Sequence, residues 1–158
     1  MIRVGIGYDS HRFEGGRALV LGGIVIPHPV GLAGHSDADA IAHAICDAML
    51  GAVALGDIGR LFPDTDPAYH GVDSMQLLAT VCTRVSAAGF VLQQADVTVI
   101  AEAPKLAPHV PAMESRLAEV IGCARECVSI KAKTNEKMGF IGRGEGVAVL
   151  AVATLIAL

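Results

Sequence analysis

Side chains of the types that bind metal ions interrupt an apolar sequence at two places. Asp9 and His11 lie two residues apart in the opening segment GIGYDSHRF, and His43 lies in the apolar segment HSDADAIAHAICDAML. Residues i and i+2 of a β-strand point to the same face, so Asp9 and His11 are expected to act together. A carboxylate with two imidazoles suits a divalent transition metal such as Zn²⁺, and three protein ligands leave an open position, as catalytic sites do. The residues thus predict a metal centre, against the alternative that Asp9 caps a turn and His43 is a hydrogen-bonded core histidine.

Two further carboxylates share the predicted helix face of His43. Asp39 lies one helical turn before His43 and Asp47 one turn after it, so all three residues lie on one side of a helix. Either carboxylate would orient the imidazole by accepting a hydrogen bond from its second nitrogen. Asp39 and Asp47 are therefore predicted to support the site or the structure, and not to be ligands themselves.

Two loops carry residues that suit a phosphorylated substrate. His35 and Ser36 precede the predicted helix, where backbone amides and the helix dipole favour an anion, although an ordinary serine cap explains Ser36 equally well. The segment GDIGRLFPDTDPAYHG, residues 56–71, is long for a connection inside one domain, and long ordered loops are often functional. Its Gly, Pro and Asp content also fits a solvated loop rich in turn residues.

Cations surround a glycine-rich segment, GFIGRGEG, at residues 139–146. Small residues let backbone amides approach phosphates, and cations neutralise them. Glu136 suits a hard ion such as Mg²⁺ on a diphosphate. The P-loop pattern GxxxxGK[ST] is absent, and a glycine-rich turn between strands is a common alternative. The polar residues of this region are Lys131, Lys133, Thr134, Glu136, Lys137 and Arg143.

The residues alone indicate a metal-dependent enzyme that acts on phosphates. No Ser–His–Asp pattern, reactive cysteine or Schiff-base lysine stands out in the sequence. Chemistry without a protein nucleophile is therefore expected, with the substrate supplying its own.

Alternating and helical patterns predict the elements that must position these residues. The chain is expected to form a single domain over residues 1–158, an α/β or α+β sandwich with helices against one sheet. Ser36 is expected to cap the first helix, with Asp39 as the acid of a capping box. Strands are predicted at 2–12, 91–101, 128–134 and 147–158, a hairpin at 18–27, and helices at 37–55, from 73 or 74 to about 89, and at 110–121.

Composition excludes several classes of function. The chain is 53% hydrophobic, 18% charged and lacks Trp, so small apolar residues are in excess. This excess suggests a subunit interface. With a net charge of −4 and no basic run, nucleic-acid binding is disfavoured. No secretory signal is evident, and the longest apolar stretch, 147–158, is too short to span a bilayer, so a cytoplasmic protein without membrane partners is expected. Four cysteines without a CxxC pair are expected to be reduced thiols.

Several motifs in order resemble one known family. These are GYDSHRF, LGGIVIP, GHSDADAIAHAICDAMLGA, LGDIGRLFPDTDP, IAEAPKLAPH and KAKTNEKMGFIGRGEG, and the resemblance extends over essentially all 158 residues. They are similar to the motifs of the 2-C-methyl-D-erythritol 2,4-cyclodiphosphate synthases of the non-mevalonate isoprenoid pathway. The resemblance implies an α/β sandwich with a mixed sheet that assembles as a homotrimer with active sites at the subunit interfaces.

The resemblance also implies a reaction. The substrate would be 4-diphosphocytidyl-2-C-methyl-D-erythritol 2-phosphate, a cytidine diphosphate compound. Its 2-phosphate would attack the β-phosphorus, release CMP and close a cyclic diphosphate, which agrees with the absence of a protein nucleophile. Proximity of two groups on one substrate would be the main catalytic device, aided by metal ions.

Roles for individual residues follow from the same resemblance. Asp9, His11 and His43 would bind Zn²⁺, Glu136 would bind Mg²⁺ or Mn²⁺ with the diphosphate, and His35 and Thr134 would stabilise the transition state. Isoprenoid diphosphate would bind an axial cavity of the trimer near Arg143 and Glu145. The segment 101–107 would bind cytosine. The complete set of implied substrate contacts is Asp9, Ser10, His11, His35, Ser36, Asp57, Ile58, Gly59, Phe62, Pro63, Asp64, Thr65, Asp66, Ala101, Glu102, Ala103, Pro104, Lys105, Leu106, Ala107, Lys133, Thr134, Asn135, Glu136, Phe140 and Arg143.

Two other functions fit part of the pattern. A metal-dependent phosphohydrolase would consume water and release inorganic phosphate. A sensor of cytidine nucleotides or isoprenoid diphosphates would bind without turnover, but it would not need two metal sites. The products formed from the substrate distinguish all three.

Overall fold

Alternating apolar residues form the β-layer of the computed structural model, which describes residues 1–158. Five strands form one sheet in the order β4–β1–β7–β5–β6, and β2 and β3 form a separate hairpin. Only β5 and β6 pair in parallel, so the sheet is mixed, as predicted. The strands are β1 (Ile2–Glu14), β2 (Leu19–Leu21), β3 (Ile24–Ile26), β4 (Gly31–Leu32), β5 (Phe90–Ile100), β6 (Val128–Lys133) and β7 (Gly146–Ala157).

Five helices complete the fold. The first helix lies on β1 and β7 and also contacts the third, and the fourth packs on the third and on β6. They are α1 (Ala40–Ala52), α2 (Ile58–Leu61), α3 (Ser74–Ala87), α4 (Val110–Ile121) and α5 (Gly139–Gly142), with short 3-10 turns at Pro67–Tyr69, Ala107–His109 and Arg125–Cys127. The segments predicted as plain loops at 56–71 and 139–146 therefore each contain a short helix, α2 and α5.

The helices cover one face of the sheet. Along β1 the residues alternate, with Gly7 buried and its neighbours Ile6 and Tyr8 exposed. A single cluster of 35 buried apolar residues joins the sheet to the helices. No helix of the structure combines the length and the apolar character that a membrane crossing requires. All four cysteines are unpaired.

The start of α1 differs from the prediction. Asp39, not Ser36, is the N-cap, and its carboxylate accepts hydrogen bonds from the amides of Ile41 and Ala42, both at 3.1 Å. The same carboxylate accepts from Gly22 at 2.9 Å and Gly23 at 2.7 Å. A carboxylate accepts more hydrogen bonds than a hydroxyl, so Asp39 joins the helix end to the hairpin turn in a way that Ser36 is unable to.

The end of α1 also differs from the prediction, since the helix stops at Ala52 and not near Leu55. Ala54 has a φ of +58°, outside the helical region. Three residues predicted as helix therefore form the turn that leads to α2.

Two glycines bring α1 close to β1. A Cβ atom on Gly5 would lie 1.9 Å from the carbonyl oxygen of Ala48, and one on Gly7 would lie 1.9 Å from that of Ala44. The helix backbone therefore rests directly on the strand. This close approach carries His43, the neighbour of Ala44, toward the side chains of Asp9 and His11.

The other face of the sheet is apolar and uncovered. Ile6 is 70% exposed and Tyr8 is 53% exposed, although large apolar side chains in a single subunit are normally buried. We call this surface the open face. It consists of Ile2, Val4, Ile6, Tyr8, Leu150 and Val152.

Candidate metal centre and cleft

Three electron-rich atoms converge where β1 passes under α1. The distance from His11 Nε2 to Asp9 Oδ2 is 2.8 Å, and that from His43 Nδ1 to the same oxygen is 3.1 Å. The two nitrogens lie 3.3 Å apart. The predicted ligand set is thus assembled from two elements that are distant in sequence.

These atoms fit a single metal ion. Four ligands at Zn–N and Zn–O bond lengths near 2.0–2.1 Å lie about 3.3 Å from one another in a tetrahedron. Asp9, His11 and His43 form a cluster with all ligand atoms within 4.8 Å of one another. A carboxylate and two imidazole nitrogens form a donor set that zinc accepts, with a fourth position left for a substrate atom.

The orientation of His11 is set by the β1–β4 edge. Its Nδ1 lies 2.7 Å from the carbonyl oxygen of Ala33. A carbonyl oxygen only accepts, so Nδ1 carries a proton, and Nε2 is the nitrogen that faces the centre and binds a metal once it is deprotonated.

The orientation of His43 depends on two residues that sequence reasoning missed. His43 Nε2 lies 2.9 Å from the hydroxyl of Ser74, which is fully buried. That hydroxyl donates its one proton to Asp37 Oδ1, so it must accept from His43. Nε2 therefore carries a proton, and Nδ1 is the nitrogen that faces the centre. Asp37 also accepts the backbone amide of Ser74 at 3.0 Å.

Neither Asp39 nor Asp47 makes the hydrogen bond to His43 that was considered from their shared helix face. Asp39 is occupied by the backbone amides at the start of α1. Asp47 Oδ1 accepts the amide of Ile58 at 2.7 Å and so holds the start of α2. Both carboxylates are structural, because unpaired backbone amides lie closer to them than the imidazole does.

The charges within the centre shift two pKa values. Burial alone raises the pKa of Asp9, but hydrogen bonds from His11 and His43 outweigh burial, and the pKa lies below its usual value. Burial alone lowers the pKa of His11, but the hydrogen bond and the charge of Asp9, together with the hydrogen bond to Ala33, outweigh burial and the pKa is raised. Both shifts favour an ionised Asp9 beside a protonated His11.

A cleft of about 140 Å³ opens beside the centre. It contains six of the predicted substrate contacts from two loops, together with two unpredicted apolar side chains, Tyr69 and Leu77. The ring of Tyr69 packs edge-on against Phe62, with the centroids 5.2 Å apart. The predicted contacts in the cleft, besides the ligands His11 and His43, are His35, Ser36, Ile58, Gly59, Phe62 and Asp64.

The loop that carries His35 is held on both sides. The guanidinium of Arg17 donates to the carbonyl oxygens of Gly34 and Ser36. On the ring side, His35 Nε2 lies 3.0 Å from the carbonyl oxygen of Asp66. His35 is thereby positioned at the cleft, as predicted for a residue that contacts phosphate.

The remaining acidic residues of the 56–71 loop have structural partners. Asp57 caps α2 by accepting the amide of Arg60 at 2.9 Å, and Asp66 accepts that of Ala68 at 2.9 Å. In each residue these hydrogen bonds use only Oδ1 of the carboxylate.

The second group of predicted contacts lies elsewhere on the sheet. The amide of Ala101 donates to the carbonyl oxygen of Lys133 at 2.9 Å, which joins the segment 101–107 to residues 133–136. Strand register places Ser10, Ala148, Ile100 and Lys133 in one row across four strands. At roughly 4.8 Å per strand, Lys133 is about 14 Å from Ser10. One chain therefore does not bring the residues from 133 to 136 to the metal centre.

Phe140 and Arg143 lie in and directly after α5. Phe140 and Ser10 line an open cavity of about 660 Å³ together with Arg12 and Glu145. The guanidinium of Arg143 pairs with Glu145 at 2.7 Å. Ser10, whose side chain points away from the helices, thus faces this cavity and not the cleft beside His43.

The fold and the site define an α+β protein with a candidate divalent-metal centre in a cleft between sheet and helices. The YgbB family model matches residues 2–156, and the chain belongs to this family.

Known relatives agree along the whole chain. The sequence is 57% identical over 152 residues to the 2-C-methyl-D-erythritol 2,4-cyclodiphosphate synthase of Syntrophus aciditrophicus, with 96% of both chains covered. It is 55% identical over 154 residues to the synthase of the same name from Burkholderia cenocepacia, which covers 98% of this chain and 96% of that one. The family predicted from the sequence motifs is confirmed.

Solved structures share the fold. A CDP-bound 2C-methyl-D-erythritol-2,4-cyclodiphosphate synthase superposes with a TM-score of 0.89 at 42% identity, covering 98% of this chain and all of the other. The bifunctional IspDF from Campylobacter jejuni superposes with a TM-score of 0.97 at 43% identity. All of this chain is covered in that match but only 43% of the bifunctional protein, so the chain spans less than half of that protein's length.

Proposed function

We propose that this chain is a metal-dependent phosphorus–oxygen lyase of isoprenoid precursor biosynthesis. It converts 4-diphosphocytidyl-2-C-methyl-D-erythritol 2-phosphate into 2-C-methyl-D-erythritol 2,4-cyclodiphosphate and CMP. The observation that carries the proposal is the convergence of Asp9, His11 and His43 beside His35 and Ser36 in one cleft. Membership of a family whose named relatives are cyclodiphosphate synthases supports it.

The proposed reaction balances without a protein nucleophile. An oxygen of the substrate's 2-phosphate forms a bond to the β-phosphorus, and the bond from that phosphorus to the bridging oxygen breaks. The bridging oxygen leaves with CMP, and the new bond closes the ring. Because both reacting groups belong to one molecule, the protein has to fold the substrate and neutralise charge.

The chain's own residues hold the substrate for this step. His35, fixed through its backbone and its ring, faces the phosphates from one side of the cleft. Thr134, which belongs to the second group of predicted contacts, stabilises the transition state together with His35. Asp9, His11 and His43 hold Zn²⁺, and Glu136 holds Mg²⁺ or Mn²⁺. When bound, these ions supply polarisation of phosphoryl oxygens and neutralise charge that develops on them.

We further propose that the enzyme is a homotrimer whose sites are shared between subunits. The separation of about 14 Å between the row positions of Ser10 and Lys133 leaves each chain with two half-sites. The open face supplies an apolar surface of the kind that subunit contacts bury. In a trimer the segment 101–107 and residues 133–136 of one subunit would complete the cleft of its neighbour. Binding of an isoprenoid diphosphate in an axial cavity, and a cytoplasmic location, stay predictions.

Phosphorus NMR of the protein with the substrate, Zn²⁺ and Mg²⁺ tests the activity. We expect CMP and a cyclic diphosphate to appear together in equal amounts. Release of inorganic phosphate as the sole phosphorus product would identify a phosphohydrolase, and binding without turnover would identify a sensor. Either outcome would contradict the proposal. The His43→Ala variant is expected to lose both stoichiometric zinc and turnover.

A further inference from the structure

Glu102 makes an unusual pair of contacts. A single carboxylate oxygen, Oε1, accepts the backbone amide of Asn135 at 2.9 Å and that of Lys137 at 3.1 Å. More than thirty residues separate the partners in sequence, so this is a tertiary contact and not a local turn. The resemblance implied that Glu102 contacts substrate. In the structure its side chain holds the backbone of another loop.

The loop that Glu102 holds is a strained turn. The amide of Met138 donates to the carbonyl oxygen of Asn135 at 2.9 Å, which closes a turn with Glu136 and Lys137 at its centre. Their φ angles are +51° and +59°. Turns with left-handed φ at both central positions strongly favour Asn and Gly, because a Cβ atom is unfavourable there. Glu136 and Lys137 therefore need support from the surrounding structure to keep this shape.

Other contacts of the turn come from its ends. The side-chain amide of Asn135 donates to the carbonyl oxygen of Met138 at 2.8 Å. On the far side, a Cβ atom on Gly142 would lie 2.1 Å from the carbonyl carbon of Lys137, so α5 rests against the turn. Glu102 is the group that binds the amides on either side of Glu136.

We infer that Glu102 is a positioning residue: its Oε1 holds the Asn135–Met138 turn in the left-handed shape and so sets where Glu136 presents its carboxylate. The inference rests on the proposed function, in which Glu136 binds the second divalent cation. It also joins two parts of the substrate site, because Glu102 belongs to the segment proposed to bind cytosine. A shift of that segment moves the turn through the same oxygen.

Two substitutions separate positioning from charge. Glu102→Gln keeps a carbonyl-type oxygen with two lone pairs, and that single oxygen is able to accept both amides. Glu102→Leu removes the acceptor and leaves both amides unpaired. Glu119→Leu is the matched control, since Glu119 lies on the exposed side of α4 and pairs only with Arg116.

Hydrogen exchange of the amides tests the contact without any need for turnover. In Glu102→Leu the amides of Asn135 and Lys137 are expected to exchange at least about tenfold faster than in wild type. Glu102→Gln and Glu119→Leu are expected to match wild type. Unchanged exchange in Glu102→Leu, or equally fast exchange in Glu102→Gln, would overturn the inference.

Kinetics test the consequence for the reaction. The Mg²⁺ concentration for half-maximal activity is expected to rise about tenfold in Glu102→Leu. Glu102→Gln is expected to restore the wild-type Mg²⁺ response. Faster exchange with an unchanged Mg²⁺ response would show that the turn does not position Glu136, which overturns the inference. If wild type itself makes no cyclic diphosphate, the proposed function fails, and the exchange comparison still decides whether Glu102 holds the turn.

Discussion

Each imidazole of the candidate metal centre is oriented through the ring nitrogen that faces away from the centre. His11 is held by a backbone carbonyl, which no side-chain substitution removes. His43 is held by Ser74, whose hydroxyl is in turn committed to Asp37. Hydrogen-bonded partners of this kind fix the tautomer and ring direction of a ligand. The series of hydrogen bonds from His43 through Ser74 to Asp37 is therefore the part of the centre that mutation is able to test.

Replacing Ser74 by Ala is expected to weaken zinc binding by about 10–100-fold. His43 would keep its position on α1 but lose the nearer of two hydroxyls beside Nε2, since that of Ser74 lies at 2.9 Å and that of Ser36 at 3.3 Å. Competition with a chelator measures the effect on the purified protein without substrate. Ser86→Ala on the exposed side of the same helix is the control. Zinc affinity in Ser74→Ala equal to that of wild type would contradict the orienting role.

Zinc affinity is expected to depend on pH through His11. Asp9 raises the pKa of His11 above its ordinary value, and the bound proton has to leave before Nε2 is able to bind a metal. Affinity is therefore expected to rise with pH through the pKa of His11, and to fall by at least about tenfold per pH unit below it. Asp9 stays ionised in this range because its own pKa is lowered. Calorimetric titrations between pH 5.5 and 8 measure the dependence, and a flat profile would rule it out.

At the scale of elements, the centre depends on how closely α1 lies on β1. Gly5 and Gly7 let the helix backbone rest on the strand, and Asp39 ties the helix start to the β2–β3 turn. The ligands come from both elements, so the distance between strand and helix sets the distance between Asp9 and His43. Packing and metal binding are thereby coupled.

Gly7→Ala is expected to lower both stability and zinc affinity. Its Cβ would meet the carbonyl oxygen of Ala44 at 1.9 Å, so α1 must move away from β1. The free energy of unfolding is expected to fall by about 1–3 kcal/mol, as for other overpacked sites. Gly51→Ala is the matched control, because nothing lies within 4 Å of a Cβ there and alanine favours the helix. Denaturant unfolding and chelator competition measure the two effects. A zinc affinity in Gly7→Ala equal to that of wild type would contradict the coupling between packing and metal binding.

At the scale of the whole molecule, the chain keeps two groups of proposed substrate contacts apart and leaves an apolar surface uncovered. The cleft beside His43 lacks the residues from 133 to 136, which lie about 14 Å away along the sheet. The open face lies on β1 and β7, and the two groups are separated by β7 and β5. Association through this face is the simplest way to bury apolar side chains and complete the cleft at once.

Ile6→Glu is expected to convert the proposed trimer into monomers. Activity is expected to fall at least about a hundredfold, because half of each site is lost and misplaced groups cost about that factor in rate. Zinc binding is expected to persist, since all three ligands belong to one chain. Light scattering gives the mass, and chelator competition gives the zinc affinity. Val25→Glu is the control, since Val25 is 66% exposed and Ile6 70% exposed, but Val25 lies outside the open face. A wild-type monomer, or an active monomeric variant, would contradict the shared site.

Local patterns were enough for much of the fold and for the ligands. Alternation along β1 and helical spacing around His43 depend on neighbours in sequence, and the structure contains both elements. The hairpin around Gly22 and Gly23 was predictable for the same reason. The cap of α1 was predicted wrongly, because the hydrogen bonds from Gly22 and Gly23 that favour Asp39 over Ser36 come from a hairpin that reaches the helix only in the folded chain.

Residue types and local spacing by themselves determined that this chain has a candidate metal centre of Asp9, His11 and His43 on a strand and a helix. Only the tertiary structure decided which groups orient them, since Ala33 and Ser74 reach the imidazoles through strand pairing and helix packing. It also decided that Lys133 lies far from Ser10, because strand order depends on long-range pairing and not on sequence order. The physical reason is one of range: backbone conformation responds to near neighbours, whereas a site is built from contacts between elements that the chain brings together only when it folds.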